Sequence, residues 1–151
     1  MTQTTMPPTE TVVSTLYQRI EAKLGIKQVR SDGDLAMLVE RRLPVRSIVS
    51  LTKHGLGEGE VYALVLPRRT LTHRRAKHQL LTRDESDKAV RLARIAALAE
   101  EIFGDEEKAF RWLRKPKRRF DSRTPLEMLA TEAGARLVEE LLYQIDDGMA
   151  A

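Results

Sequence analysis

The residues with the most chemistry to offer lie in one short run, Pro67 to Gln79, reading PRRTLTHRRAKHQ. It holds five Lys/Arg (Arg68, Arg69, Arg74, Arg75, Lys77), two His and no acid. Such side chains donate to phosphate oxygens, and arginine also reads base edges in a major groove. Composition leaves two readings open, a face that meets a polyanion and a well-solvated helix. A second basic cluster, RWLRKPKRRFDSR at 111–123, has seven Lys/Arg and one Asp. A solvated interhelical loop is the expected reading there, beside a second nucleic-acid contact or a surface for an acidic partner.

Catalytic and metal chemistry find little support. The three histidines, His54, His73 and His78, show no metal-ligand spacing, and His54 beside Gly55 reads as a helix-end dipole complement. There is no cysteine, so no thiol nucleophile, disulfide or Cys-based metal site. Gly55-x-Gly57-x-Gly59 lacks the third glycine of a dinucleotide loop and follows a helix rather than a strand. Carboxylate pairs such as Glu139–Glu140 fall on an exposed helix side. No catalytic residue, metal or cofactor is expected, and the chain is not read as an enzyme.

The elements that must carry the basic run are helical. The chain has 151 residues, 42% hydrophobic and 32% charged, enough for one domain or two small ones. Its opening, MTQTTMPPTE, has neither the basic nor the apolar region of a signal peptide, and VYALVL is the longest apolar run. A cytoplasmic protein without membrane contact is expected. Charge divides unevenly: Met1–Arg83 has 14 Lys/Arg against 7 Asp/Glu, and Asp84–Ala151 has 12 against 15. A basic front and an acidic end suggest two different partners.

Val12, Val13, Leu16, Ile20 and Leu24 recur at helical intervals before Gly25. Leu35, Leu38 and Val39 mark a second helix, and VRSIVSLTKHG a third. Thr82-Arg83-Asp84-Glu85 and Thr124-Pro125-Leu126-Glu127 are capping boxes, the latter with proline at the first helical position. Asp105 caps a helix that Pro116 ends. A final helix over about Glu132–Asp147 carries Ala133, Leu137, Val138, Leu141, Leu142 and Ile145 as one stripe. The fold expected is all-α, with a flexible leader at 1–8, a helical DNA-binding or dimerisation region at 9–81, and a second helical unit at 82–151.

Within the first region a helix–turn–helix fits Gly57–Leu64, a Val65–Leu66–Pro67 turn, and a second helix from Arg68 to about His78. That register turns Leu64, Leu66 and Leu71 inward. It leaves Arg68, Arg69, Thr70, Thr72, His73, Arg75 and Lys77 to face DNA. Two features fit poorly: the turn lacks a glycine, and Glu60 and Arg74 occupy positions where apolar residues are common. At the other end, the amphipathic last helix is followed by Gly148 and a small apolar tail, Met149-Ala150-Ala151. Such an end can enter another protein's cleft.

The strings LTRDESDKAVRLARI, FGDEEKAFRWLRKP and RTPLEMLATEAGARLVEELLYQIDDGMAA resemble, in order and spacing, the toxin-binding domain of Xre/MbcA/ParS-type antitoxins. About Leu35–Leu80, with RRTLTHRR, resembles the Xre-like helix–turn–helix part of the same family. The resemblance implies a partner, a RES-domain toxin that consumes NAD and whose active site the antitoxin blocks. It implies toxin contacts through Leu142, Ile145, Asp146, Gly148, Met149, Ala150 and Ala151. It also implies operator DNA bound through RRTLTHRR, autorepression, and a homodimer. Where the family has a glycine turn before R/K-T-P, this chain reads Pro116-Lys117-Arg118-Arg119-Phe120-Asp121-Ser122, with no glycine. The alternative is a stand-alone DNA-binding regulator whose C-terminal half only dimerises.

Overall fold

The computed structural model describes residues 8–148, with side chains from residue 15 onward. The described chain is all helical: α1 (Pro8–Leu24), α2 (Asp32–Arg41), α3 (Arg46–Lys53), α4 (Glu58–Leu64), α5 (Arg68–Ala76), α6 (Arg83–Phe103), α7 (Glu106–Leu113), α8 (Pro125–Met128) and α9 (Glu132–Asp146). Among the described residues there is no strand, only an isolated antiparallel bridge between Lys117 and Arg123. No described helix is long and apolar enough to cross a membrane.

The helix starts follow the capping chemistry. Thr82 and Glu85 exchange hydrogen bonds at α6, and Thr124 and Glu127 do so at α8, where Pro125 opens the helix. Asp105 accepts from the Glu107 N–H at α7. The end of α6 is also plain, because Gly104 takes the left-handed conformation that a glycine cap needs.

At the centre of the fold lies α6. Ala89, Ala93, Ala96, Ala97 and Ala99 are fully buried along it, with Leu92 and Ile95 nearly so. A helix that is apolar on nearly every side must be covered on every side, and alanine lets the neighbours approach closely. Accordingly α1, α2, α3 and α4 pack on it from the N-terminal side, and α7 and α9 from the C-terminal side. One hydrophobic cluster runs from Tyr17 to Leu142. Leu81, just before this shared helix, donates its N–H to the Leu43 carbonyl at 2.9 Å.

Whether α1 packs within its own chain is answered by its buried side. Tyr17, Ile20 and Leu24 are covered inside the same chain. Lys23 and Glu100 are both nearly inaccessible and form an ion pair, and Lys23 also donates to the His54 carbonyl at 3.0 Å. Removing one partner of such a pair costs roughly 3–5 kcal/mol, so α1 is fixed to α6 by charge as well as by apolar contact.

Candidate nucleic-acid and toxin interfaces

Helices α4 and α5 stand where the sequence placed the helix–turn–helix, joined by Val65, Leu66 and Pro67. Val61, Val65, Leu66 and Leu71 are buried and Leu64 packs on the core, which turns the other side of α5 outward. Arg68, Arg69, Thr72, His73, Arg75 and Lys77 are exposed; Thr70 is half-buried. The Thr72 hydroxyl donates back to the Arg68 carbonyl at 3.0 Å, which leaves its oxygen free to accept. The helix ends at Ala76, two residues earlier than expected, because Lys77 forms its cap and His78 enters the left-handed region at φ 53°.

The two poorly fitting positions have partners. Arg74 turns away from the outer face and closes a fork on Glu85 of α6, with Nε to Oε1 2.8 Å and Nη2 to Oε2 3.2 Å. Glu60 receives a fork from Arg114 at the end of α7. Both are the third residue of their helix, and each carboxylate also accepts a backbone N–H, from Thr82 and Gly57 respectively, at 2.8 Å. Burial acts to raise the Glu85 carboxyl, but the hydrogen bonds from Arg74 and the Thr82 backbone outweigh it and hold it below its ordinary value. For Glu60 the Arg114 hydrogen bonds dominate, and its pKa is likewise lowered.

The α3–α4 connection, unlike the α4–α5 turn, does contain a glycine. Gly55 sits at φ 103°, and a Cβ there would lie 2.3 Å from Phe110 Cε2. Helix α4 begins with Glu58 and Glu60, whereas the outer face of α5 is cationic. Electrostatics therefore favour α5 as the helix that meets DNA.

At the other end, α9 is turned differently from the expected stripe. Gly134, Ala135, Val138, Leu141 and Leu142 are buried, while Ala133 is exposed and Leu137 is 49% exposed. Gly134 determines this rotation: a Cβ on it would come within 2.0 Å of the Met128 carbonyl oxygen. Leu142 is fully buried, so its place among the toxin contacts is corrected: it is a core residue with no surface to offer. Ile145 is half-buried, and Asp146 and Gly148 are exposed. Met149, Ala150 and Ala151 lie outside the described residues. The exposed Leu137 and Tyr143 on α9 were missed because helical spacing alone cannot choose between neighbouring stripes.

The loop that lacks the family glycine is built around Phe120, which is buried within a short 3₁₀ turn, Arg118–Phe120. Asp121 and Ser122 adopt the left-handed conformation at φ 53° and 66° that glycine would take more easily. Lys117 lies over the Trp112 ring at 4.9 Å, and burial together with Lys115 lowers its pKa. No group of three or more His, Cys, Asp or Glu among the described residues could hold a metal.

A cationic helix in a helix–turn–helix, on a core shared with a second helical unit, defines a DNA-binding regulator with an appended interaction domain. Residues 34–94 match the antitoxin Xre-like helix-turn-helix domain, and residues 98–148 match the antitoxin Xre/MbcA/ParS C-terminal toxin-binding domain. The chain is 41% identical to antitoxin Xre of Pseudomonas putida over 130 residues, 86% of this chain and 82% of that protein. It is 30% identical to antitoxin Xre of Photorhabdus laumondii over 122 residues, 79% of this chain and 82% of that one. A third antitoxin Xre, from Yersinia enterocolitica, is 34% identical over 85 residues, 56% of this chain and 57% of that protein. The chain belongs to the Xre antitoxin family.

Proposed function

We propose that this chain neutralises a RES-domain, NAD-consuming toxin and represses its own operon. Neutralisation runs through the end of α9. Ile145, Asp146 and Gly148, followed by Met149, Ala150 and Ala151, enter the toxin's active-site cleft and occlude it. Leu137 and Tyr143 extend the contact along the helix. Repression runs through Arg68, Arg69, Thr70, Thr72, His73, Arg75 and Lys77 on operator DNA. The antitoxin performs no chemistry of its own, and it acts in the cytoplasm.

The observation that carries this reading is the separation of two exposed surfaces on one core. The outer face of α5 is cationic, and the end of α9 is acidic, with Asp146 and Asp147 exposed. A helix–turn–helix reader of a two-fold operator works as a dimer. Met37 and Leu80, both exposed apolar residues, supply the face we assign to the second copy.

The test is NAD consumption by the toxin encoded next to this gene, titrated with the full chain and with a version ending at Gly148. Inhibition lost on truncation supports occlusion by the tail. Inhibition by both versions moves the contact to the surface of α9. Undiminished NAD consumption with the full chain in molar excess defeats the toxin assignment and leaves a DNA-binding regulator.

A further inference from the structure

A groove of about 500 Å³ lies between α3 and the C-terminal end of α5. Its floor is Val45 and Val49, and its rim carries Arg46, Lys53, Arg74, Arg75 and His78, with no acid among the lining residues. Arg46 and Arg74 already have protein acceptors: Arg46 donates to the Gly25 carbonyl and Arg74 to Glu85. Lys53, Arg75 and His78 are exposed, and among the described residues none of them has a carboxylate within ion-pair distance.

We propose that this groove is a phosphate-binding site, in which Lys53 of α3 joins Arg75 of α5 and His78 just beyond its end on the backbone of bound duplex DNA. The inference rests on the reading that α5 meets DNA, and it adds a contact from a different helix. Arg75 belongs to the same outer face as Arg68 and Thr72, so a strand that follows this face passes the groove mouth. A second groove, between α3, α4 and α5, is lined by Arg68, Thr72 and Arg75 together with Val49, Thr52 and one acid, Glu58, so Arg75 borders both grooves. Lys53 and Arg75, cations without a counter-ion at the edge of such a face, neutralise phosphates and release condensed counterions, and they carry no sequence preference. Arg46, held by a neutral carbonyl, adds its charge to the groove, whereas the charge of Arg74 is offset by Glu85.

The experiment measures duplex binding by the full chain over a salt series, on its own upstream DNA and on a scrambled duplex. The variants are Lys53→Gln and Lys53→Arg. The Lys53 side chain is exposed, so both variants are expected to melt as the parent does. Expected is a fall of about one in the slope of log affinity against log salt for Lys53→Gln, equal on both duplexes, with Lys53→Arg restoring it. A parental slope for Lys53→Gln overturns the inference while leaving α5 as the DNA helix. Parental protein that binds neither duplex overturns the DNA reading and this inference with it. Saturable binding of inorganic phosphate that Lys53→Gln abolishes, without any change in duplex slope, overturns the backbone assignment in favour of a free anion.

Discussion

Arg114 closes a two-pronged hydrogen bond on Glu60, with Nε to Oε2 2.9 Å and Nη2 to Oε1 2.8 Å, and its Nη2 also donates to the Gly55 carbonyl at 2.8 Å. This joins the end of α7 in the toxin-binding domain to the first turn of α4 in the helix–turn–helix. The guanidinium also lies 4.8 Å from the Phe110 ring centre. A planar fork with a ring beneath it is a geometry that lysine cannot reproduce. Because the pair is partly exposed, solvent screening keeps its contribution small, and Arg114→Lys is expected to cost about 1 kcal/mol in chemical denaturation. The pH dependence has a definite sign. With the Glu60 pKa lowered in the folded state, the pair's contribution is full above the ordinary carboxylate value, near 4.3, and is lost as pH falls through the folded value. Arg114→Ala should flatten that part of the acid melting profile.

Arg74 lies in the basic run yet serves the core. Arg74→Ala leaves the nearly buried Glu85 carboxylate without its fork, and stability should fall by roughly 2–3 kcal/mol. Its duplex-binding slope should stay at the parental value. For Arg69→Ala the outcome is reversed, with parental melting and a slope lower by about one. A lowered slope for Arg74→Ala at parental stability would add that residue to the DNA-facing set.

Gly134→Ala ought to help on helix propensity alone, by about 1 kcal/mol. Here the added methyl would stand 2.0 Å from the Met128 carbonyl oxygen, a backbone atom that cannot step aside. A net loss of roughly 1–3 kcal/mol is expected from overpacking. Thermal melting measures it, and a raised melting temperature would show that α8 can move away from α9.

Ser122→Gly should act in the other direction. Ser122 holds φ 66° with an L side chain, a conformation that costs roughly 1–2 kcal/mol and that glycine adopts freely. After the extra freedom of glycine in the unfolded chain is subtracted, a gain of about 0.5–1 kcal/mol remains. Equal stability of parent and variant would mean that the loop relaxes the strain in another way.

Much of this fold is legible in the sequence, because helix starts are local chemistry. Thr82 with Glu85, Thr124 with Glu127, and Asp105 each settle a boundary using atoms within four residues. The features that were not legible depend on distant atoms. Glu60 and Arg74 look like faults in a helix–turn–helix until Arg114 and Glu85 arrive from 54 and 11 residues away. Spacing places the α9 stripe through Leu137, because the close approach of Gly134 to Met128 has no signature in spacing. Lys53 has no signature in the sequence, because Arg74 and Arg75 reach the same groove rim from another helix.

The burial of α6 also bears on how such chains can be recombined. A crossover at Leu81–Thr82 looks neutral in sequence, because the basic front of the chain ends there, yet the helix–turn–helix match runs on to residue 94. It would nonetheless give the reading half a foreign α6, whose alanines must fit α1, α2, α3 and α4 at close range. Specificity for a toxin can therefore be exchanged between relatives only with a graft that begins beyond the middle of α6, or one that carries matching α1–α4 surfaces with it. The helix that stabilises the fold is thus also a barrier to shuffling its two specificities.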